Sequence, residues 1–191
     1  MQTKQVVQFI VIFSAASVTA GQASSAEMAA ASKEQIKRGE YLVNYGGCND
    51  CHTPKLMTPK GPAPDPSRLL SGHPAGAPIP PAPPAGVIGP SPDQWGAVTN
   101  NDLTAWVGPW GTSYAANLTP DVATGLGGWT ADQFIKTMRT GKHLGAGRPV
   151  LPPMPWFDLA FLNDRDLKAV FAYLKSVKPI QNQVPQPAPS K

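Results

Sequence analysis

The sequence predicts an all-α fold, and three observations point to it. Three segments carry helix caps or helical periodicity. No window shows the period-2 alternation of a half-buried strand, and the long proline-rich middle cannot supply an interior strand because proline lacks the backbone donor and fixes φ. At 191 residues the chain has room for one domain with a real core, and the remaining length is expected as decoration.

The first segment is expected to be processed rather than folded. Lys4 supplies a positive start, "VVQFIVIFSAASV" an apolar run, and "ASSA" ending at Ala26 the small residues of a cleavage site. This reads as a signal peptide over 1–26, followed by a short linker over 27–32. A membrane-spanning helix needs about 20 apolar residues, and this run is shorter, so an uncleaved anchor is the secondary expectation. Either way the folded part faces an oxidising compartment, taken here as the periplasm.

A helix is predicted over about 33–45, with Ser32 as its cap and Gly46 and Gly47 as its stop. From Pro54 to Pro92, thirteen prolines fall within thirty-nine residues, which predicts an extended, partly polyproline segment. "TADQFIKTMRTG" pairs Thr130 with Gln133 in a capping box, sets Phe134, Ile135 and Met138 on one face, and ends at Gly141. "NDRDLKAVFAYLKSVKP" starts at an Asn or Asp cap, aligns Leu167, Val170, Phe171 and Leu174, and ends ahead of Pro179. A domain over 33–180 and a proline-rich tail over 181–191 complete the division.

Charge narrows the partners. Sixteen Lys and Arg against twelve Asp and Glu give a net charge of +4, and the basic residues are scattered. That distribution argues against nucleic acid.

Chemistry concentrates in "YGGCNDCHTP", where the chain's two cysteines, Cys48 and Cys51, precede His52. A disulfide between them would close a loop too short to stabilise much, and a thioredoxin-like CxxC needs a strand before it and a helix starting at it. A zinc site needs a fourth ligand, and only His73 and His143 remain, without paired spacing. C-x-x-C-H in an exported chain instead fits covalent haem c, with the thiols joined to the porphyrin and His52 as the proximal ligand to iron.

The sixth iron ligand then has five main candidates. Met57 follows His52 too closely to reach the opposite face, Met138 falls on a helix's core face, and His73 and His143 sit in loops, where histidines are more often solvated. Met154 in "VLPPMPWFD" is bracketed by Pro152, Pro153 and Pro155, which stiffen its backbone, and has Leu151, Trp156 and Phe157 beside it. Met154 is the expected distal ligand.

Taken in order, CxxCH, "NLTPDVATGLGGWTADQFIKTMRTGKH", "LPPMPW" and "LKAVFAYLKSVKP" resemble the class I c-type cytochromes. Within that class they look like the bacterial group resembling the cytochrome subunits and domains of periplasmic dehydrogenases, and the likeness covers about 33–185. The resemblance implies an all-α cytochrome c-like fold with crossing terminal helices, so that Gly39, Tyr41 and Val43 meet Leu167, Phe171 and Leu174. It also implies that Cys48, Cys51, His52 and Met154 are the haem contacts. The chain departs from the compact members in a long Pro/Gly-rich insertion over about 56–112, where Trp95, Trp106 and Trp110 are expected to cover apolar surface as a lid. Pro62 and Pro64 are the candidate acceptors for the Nδ1 proton of His52. Arg148, Trp156 and Asn117, with Trp129 and Arg139 behind them, are the candidate haem-edge or propionate donors.

These readings imply a monohaem carrier of single electrons, with a dehydrogenase as donor and an oxidase or another cytochrome as acceptor, and no catalysis of its own. The alternatives are a dedicated subunit of a dehydrogenase complex, or a peroxidase-like haem enzyme or gas sensor with a labile sixth ligand. The single CxxCH weighs against dihaem peroxidases.

Overall fold

The computed structural model describes the backbone of residues 20–189 and the side chains of 33–189. Most of the expected export signal lies outside the described residues. No helix among the described residues is long and apolar enough to cross a membrane.

The first helix, α1, spans Ala20–Tyr45 and continues back past the expected start near 33, so Ser32 lies within it rather than capping it. A one-turn helix, α2, spans Cys48–His52. In α3, Ala131–Thr140, the expected capping box forms in both directions: Gln133 N donates to Thr130 Oγ1 at 3.2 Å and Thr130 N to Gln133 Oε1 at 2.9 Å. A cap of this kind contributes about 1 kcal/mol. Gly141, at φ 63°, turns the chain out of α3. Trp156–Leu159 forms the short α4, and α5 spans Asp164–Ser176 with Asn163 Oδ1 accepting from Asp166 N at 2.9 Å.

The all-α expectation is corrected by two small sheets inside the 56–112 insertion. β1, Lys55–Thr58, and β2, Gly61–Pro64, form an antiparallel hairpin pairing Lys55 with Pro64 and Met57 with Pro62. Both strands of a two-stranded ribbon are edges, so Pro62 and Pro64 need not donate inward. β3, Val98–Thr99, β4, Ala105–Gly108, and β5, Gly111–Tyr114, form a second antiparallel sheet in that order. Gly111, at φ 96°, makes the tight β4–β5 turn. The intervening proline run lacks regular structure, and Ile79, Pro80, Pro81 and Pro83 face Val98 and Val107 across a shallow cleft.

The core lies where α1, α3 and α5 meet. Val43 and Leu167 are fully buried, Leu174 is nearly so, and Phe134, Ile135, Met138, Val170 and Phe171 pack with them. Each such large side chain contributes about 2 kcal/mol. The Phe134 and Phe171 rings lie 5.4 Å apart between α3 and α5. Gly39 fits against α5 because any β-carbon there would strike the Ala169 carbonyl and Tyr173 Cβ. Arg38 adds a two-pronged pair to Asp166, with Nε to Oδ1 at 2.9 Å and Nη2 to Oδ2 at 3.2 Å. Tyr41 departs from the expected crossing: it is exposed and stacks on Tyr45 with ring centroids 5.9 Å apart.

The proline-rich tail is not detached from the rest. It is bonded into the domain from Ile180 to Ala188, where Ala188 bridges Thr112 through two backbone hydrogen bonds of 2.8 and 3.0 Å.

Candidate functional site

The site starts at the end of α1. Gly46 N closes the helix on Leu42 O at 2.8 Å, and Gly47, at φ 65°, reverses the chain into α2. Within α2, Cys48 and Cys51 are three residues apart and therefore share a face. Both thiols are free and half-buried. Burial pushes the Cys48 thiol up to about 11 and raises Cys51 as well.

Two neighbours that sequence reasoning did not single out hold this turn. Lys55 Nζ donates to the carbonyls of Asn49 at 3.1 Å and Asp50 at 2.8 Å, and also to Thr53 O, placing a cation on the exposed carbonyl end of α2. Thr53, fully buried, donates from Oγ1 to Asn49 Oδ1 at 2.7 Å and accepts from Leu70 N at 2.8 Å. Leu70 sits in the left-handed region at φ 60°, costing about 1–3 kcal/mol that the packed site must offset. Their signal was adjacency to His52 alone, which does not reveal contacts.

His52 is buried, and its Nδ1 lies 2.8 Å from Ala116 O. A carbonyl only accepts, so Nδ1 carries the proton and Nε2 keeps its lone pair. This corrects the expected proline acceptor: neither Pro62 nor Pro64 fills the role, because β2 is paired with β1 and Ala116 follows β5. Burial lowers the His52 pKa and keeps the ring neutral. Gly72 N secures the backbone from the other side, donating to His52 O at 2.8 Å.

Met154 is half-buried in an exposed proline loop. The loop is tied to β5 by Ser113 Oγ, which donates to Pro152 O at 2.6 Å and accepts from the Trp110 indole at 3.2 Å. Ser113 and Ala116 are three residues apart on one extended stretch, about 10 Å, so the same segment holds His52 and the Met154 loop.

The other candidates separate clearly. Met57 is 75% exposed in β1, and Met138 belongs to the core. His143 is exposed beside Trp129, whose ring it meets edge-on at 4.9 Å. His73 is not a solvated loop residue: it is fully buried, its Nδ1 lies 2.8 Å from Thr104 Oγ1, and its ring lies 5.0 Å from Tyr114. Asn117 is buried with both amide hydrogens committed, to Thr124 Oγ1 at 3.1 Å and Ile180 O at 2.8 Å, leaving none for a propionate. Arg139 bonds Ala160 O and Asp164. Arg148 is exposed and reaches only Pro149 O, while Trp156 is half-buried against the core. Trp95 is 69% exposed and so does not cover apolar surface as expected, while Trp106 is half-buried and bonds its own turn at Leu103 O.

Among the described residues no three His, Cys, Asp or Glu side chains converge on a metal, so a zinc reading of Cys48, Cys51 and His52 lacks its remaining ligands. The residues do fit haem c. Two thiols share one face of a helical turn, a neutral imidazole has its Nε2 free, and apolar side chains lie behind them.

One pH-dependent element supports the site. Asp65 Oδ1 accepts from Ser67 N at 2.9 Å and Ser67 Oγ at 2.6 Å, and Arg68 Nε bonds Oδ2 at 2.7 Å. The Ser67 hydroxyl first, then Arg68, holds this carboxyl down at about 2, against an ordinary 3.8. Its stabilising contribution is therefore present above pH 3.8 and is lost as pH falls toward 2. Asp65→Asn is expected to remove that part of the acid sensitivity, measured as a flatter loss of ellipticity between pH 4 and pH 2 than in the unmodified protein.

No family model matches the chain. It is 30% identical over 146 residues to the gluconate 2-dehydrogenase cytochrome c subunit of Pantoea cypripedii, covering 76% of this chain and 24% of that protein. It is 31% identical over 153 residues to the cytochrome c subunit of the quinone-type alcohol dehydrogenase of Gluconobacter oxydans, covering 78% of this chain and 23% of that one. A subunit of the nicotinate dehydrogenase of Pseudomonas putida is 39% identical over 77 residues, 40% of this chain and 6% of the relative. The chain thus spans a quarter or less of the length of these relatives. With its CxxCH turn, the chain resembles the cytochrome c subunits of bacterial dehydrogenases, and that likeness implies covalently attached haem c with iron.

Proposed function

We propose that the chain carries single electrons in the periplasm, from a dehydrogenase to an oxidase or another cytochrome, with His52 and Met154 as the axial ligands. The observation that carries this reading is the His52 Nδ1 to Ala116 O hydrogen bond of 2.8 Å beside the paired thiols. It leaves Nε2 as the ring's only free lone pair. When bound, haem c supplies a ferric/ferrous couple. Cys48 and Cys51 would hold the ring by thioether bonds, and His52, fixed by Ala116 O, would present Nε2 in one orientation. Met154 presents a soft sulfur that favours the ferrous state and raises the potential relative to a second histidine. Arg148 and Trp156 are the proposed haem-edge contacts, since neither is committed as Asn117 is.

A second reading is a dedicated subunit of a dehydrogenase complex. The names of the relatives favour it, each being a dehydrogenase subunit. In both readings the chain has no catalysis of its own.

An absorption spectrum of the exported protein, oxidised and reduced, tests the proposal. It expects c-type bands and the weak far-red band of methionine sulfur on ferric haem. Haem without that band, together with rapid binding of carbon monoxide on reduction, would overturn the carrier reading and favour an enzyme or gas sensor.

A further inference from the structure

The C-terminal tail gathers at the His52 hydrogen bond. Asn182 Nδ2 donates to Ser71 O at 2.7 Å and His73 O at 2.8 Å, and its Oδ1 accepts from Ala75 N at 2.8 Å. One side chain thus pins the loop over 71–75 at three points. Between those points, Gly72 N donates to His52 O at 2.8 Å and His73 N to Ala115 O at 2.9 Å. Gly72 has no room for a side chain, because a β-carbon there would lie 2.5 to 2.7 Å from the Ala115 and Ala116 backbones.

The acceptor segment is held from the tail as well. Thr112 pairs with Ala188 four residues before Ala116, and Asn117 bonds Ile180 O directly after it. Ile180 N in turn donates to Thr119 Oγ1 at 3.1 Å. The tail therefore grips both the backbone that carries His52 and the carbonyl that receives its proton.

We infer that the segment Ile180–Ala188 is a strap that positions His52, with Asn182 as its main positioning residue. This rests on the reading of His52 as the proximal ligand. Holding Ala116 O against Nδ1 strengthens that hydrogen bond and makes the imidazole a more basic ligand, which favours ferric iron. Releasing the strap weakens the bond and raises the midpoint potential. The role differs from plain stabilisation because it acts through the polarity of one ring.

The test is Asn182→Ala in the full-length holoprotein, with a deletion after Pro179 as the stronger variant. Two quantities are read: the midpoint potential by redox titration, and hydrogen exchange at the Gly72 and His73 amides and His52 Nδ1 by NMR. Asn182→Ala is expected to raise the potential, speed exchange at all three positions about tenfold and leave the far-red band in place, as befits losing side-chain hydrogen bonds without losing a ligand. The deletion is expected to raise the potential further. An unchanged potential for Asn182→Ala overturns the inference even if the melting temperature falls or the amides exchange faster, because the tail would then be structural only. The single substitution decides the question, since it removes the three-point contact without shortening the chain. Failure of the haem reading is distinguishable: the unmodified protein would lack c-type bands, and exchange at His52 Nδ1 would then decide the strap on its own.

Discussion

Met154→Ala is expected to lower the midpoint potential by roughly 0.2 V and to abolish the far-red methionine band, while the c-type bands persist. Axial ligation moves haem potentials over about 0.8 V, so losing a thioether is expected to move a sizeable fraction of that range. At about 59 mV per tenfold for a one-electron couple, roughly 0.2 V means that the sulfur prefers ferrous over ferric iron by a few thousandfold. Met57→Ala is the control: that side chain is 75% exposed on the β1–β2 hairpin and should leave both readings unchanged. A Met154→Ala protein with the original potential and band would reject Met154 as the ligand. Since Met154 sits in a loop and only half-buried, its loss should cost little stability, so the redox effect can be read from a folded protein.

Gly39→Ala should produce the largest loss of stability. The added carbon would strike the Ala169 carbonyl and Tyr173 Cβ, both fixed parts of α5, so the helices must separate at their closest approach. Overpacking of this kind costs about 3 kcal/mol, against roughly 1 kcal/mol recovered from alanine's better helix propensity. At about 2–4 °C per kcal/mol for a chain of this size, the expected fall in melting temperature is roughly 4–8 °C. Gly128→Ala, where a β-carbon meets nothing within 4 Å, is the control and should melt near the unmodified protein. An unchanged melting temperature for Gly39→Ala would mean that α1 and α5 do not approach so closely. The same contact explains why the crossing forms at Gly39, while Tyr41, two residues on, turns outward to stack on Tyr45.

The legible parts of the fold were those specified by local chemistry. Thr130 with Gln133, and Asn163 ahead of Leu167 and Leu174, are caps and stripes contained within one helix, and α3 and α5 follow them closely. The strands were not legible because four-residue segments such as "GPAP" and "AWVG" are too short for alternation to show and carry Gly and Pro that mimic loop. Within the site, CxxCH was legible because two thiols and an imidazole at fixed spacing have few uses. The acceptor for His52 was not, since Ala116 lies 64 residues away and contributes only a backbone oxygen, which no residue type advertises. His73 was misjudged for a related reason: "SGHPAG" has loop composition, but β5 brings Tyr114 over its ring and the residue just before β4, Thr104, meets its Nδ1. Asn117 looked available as a donor until the tail folded back to claim its amide.

The shared grip of Ser113 and Ala116 bears on speed as well as on position. Electron exchange between proteins is slowed when metal–ligand lengths and angles must change with oxidation state. His52 and the Met154 loop, the proposed holders of the haem iron, are both tethered to the same short stretch of backbone. With haem bound, that shared tether would carry the two groups together when the stretch moves, rather than apart. The expected consequence is a small reorganisation energy, in a chain whose surroundings include a long run of irregular, exposed proline.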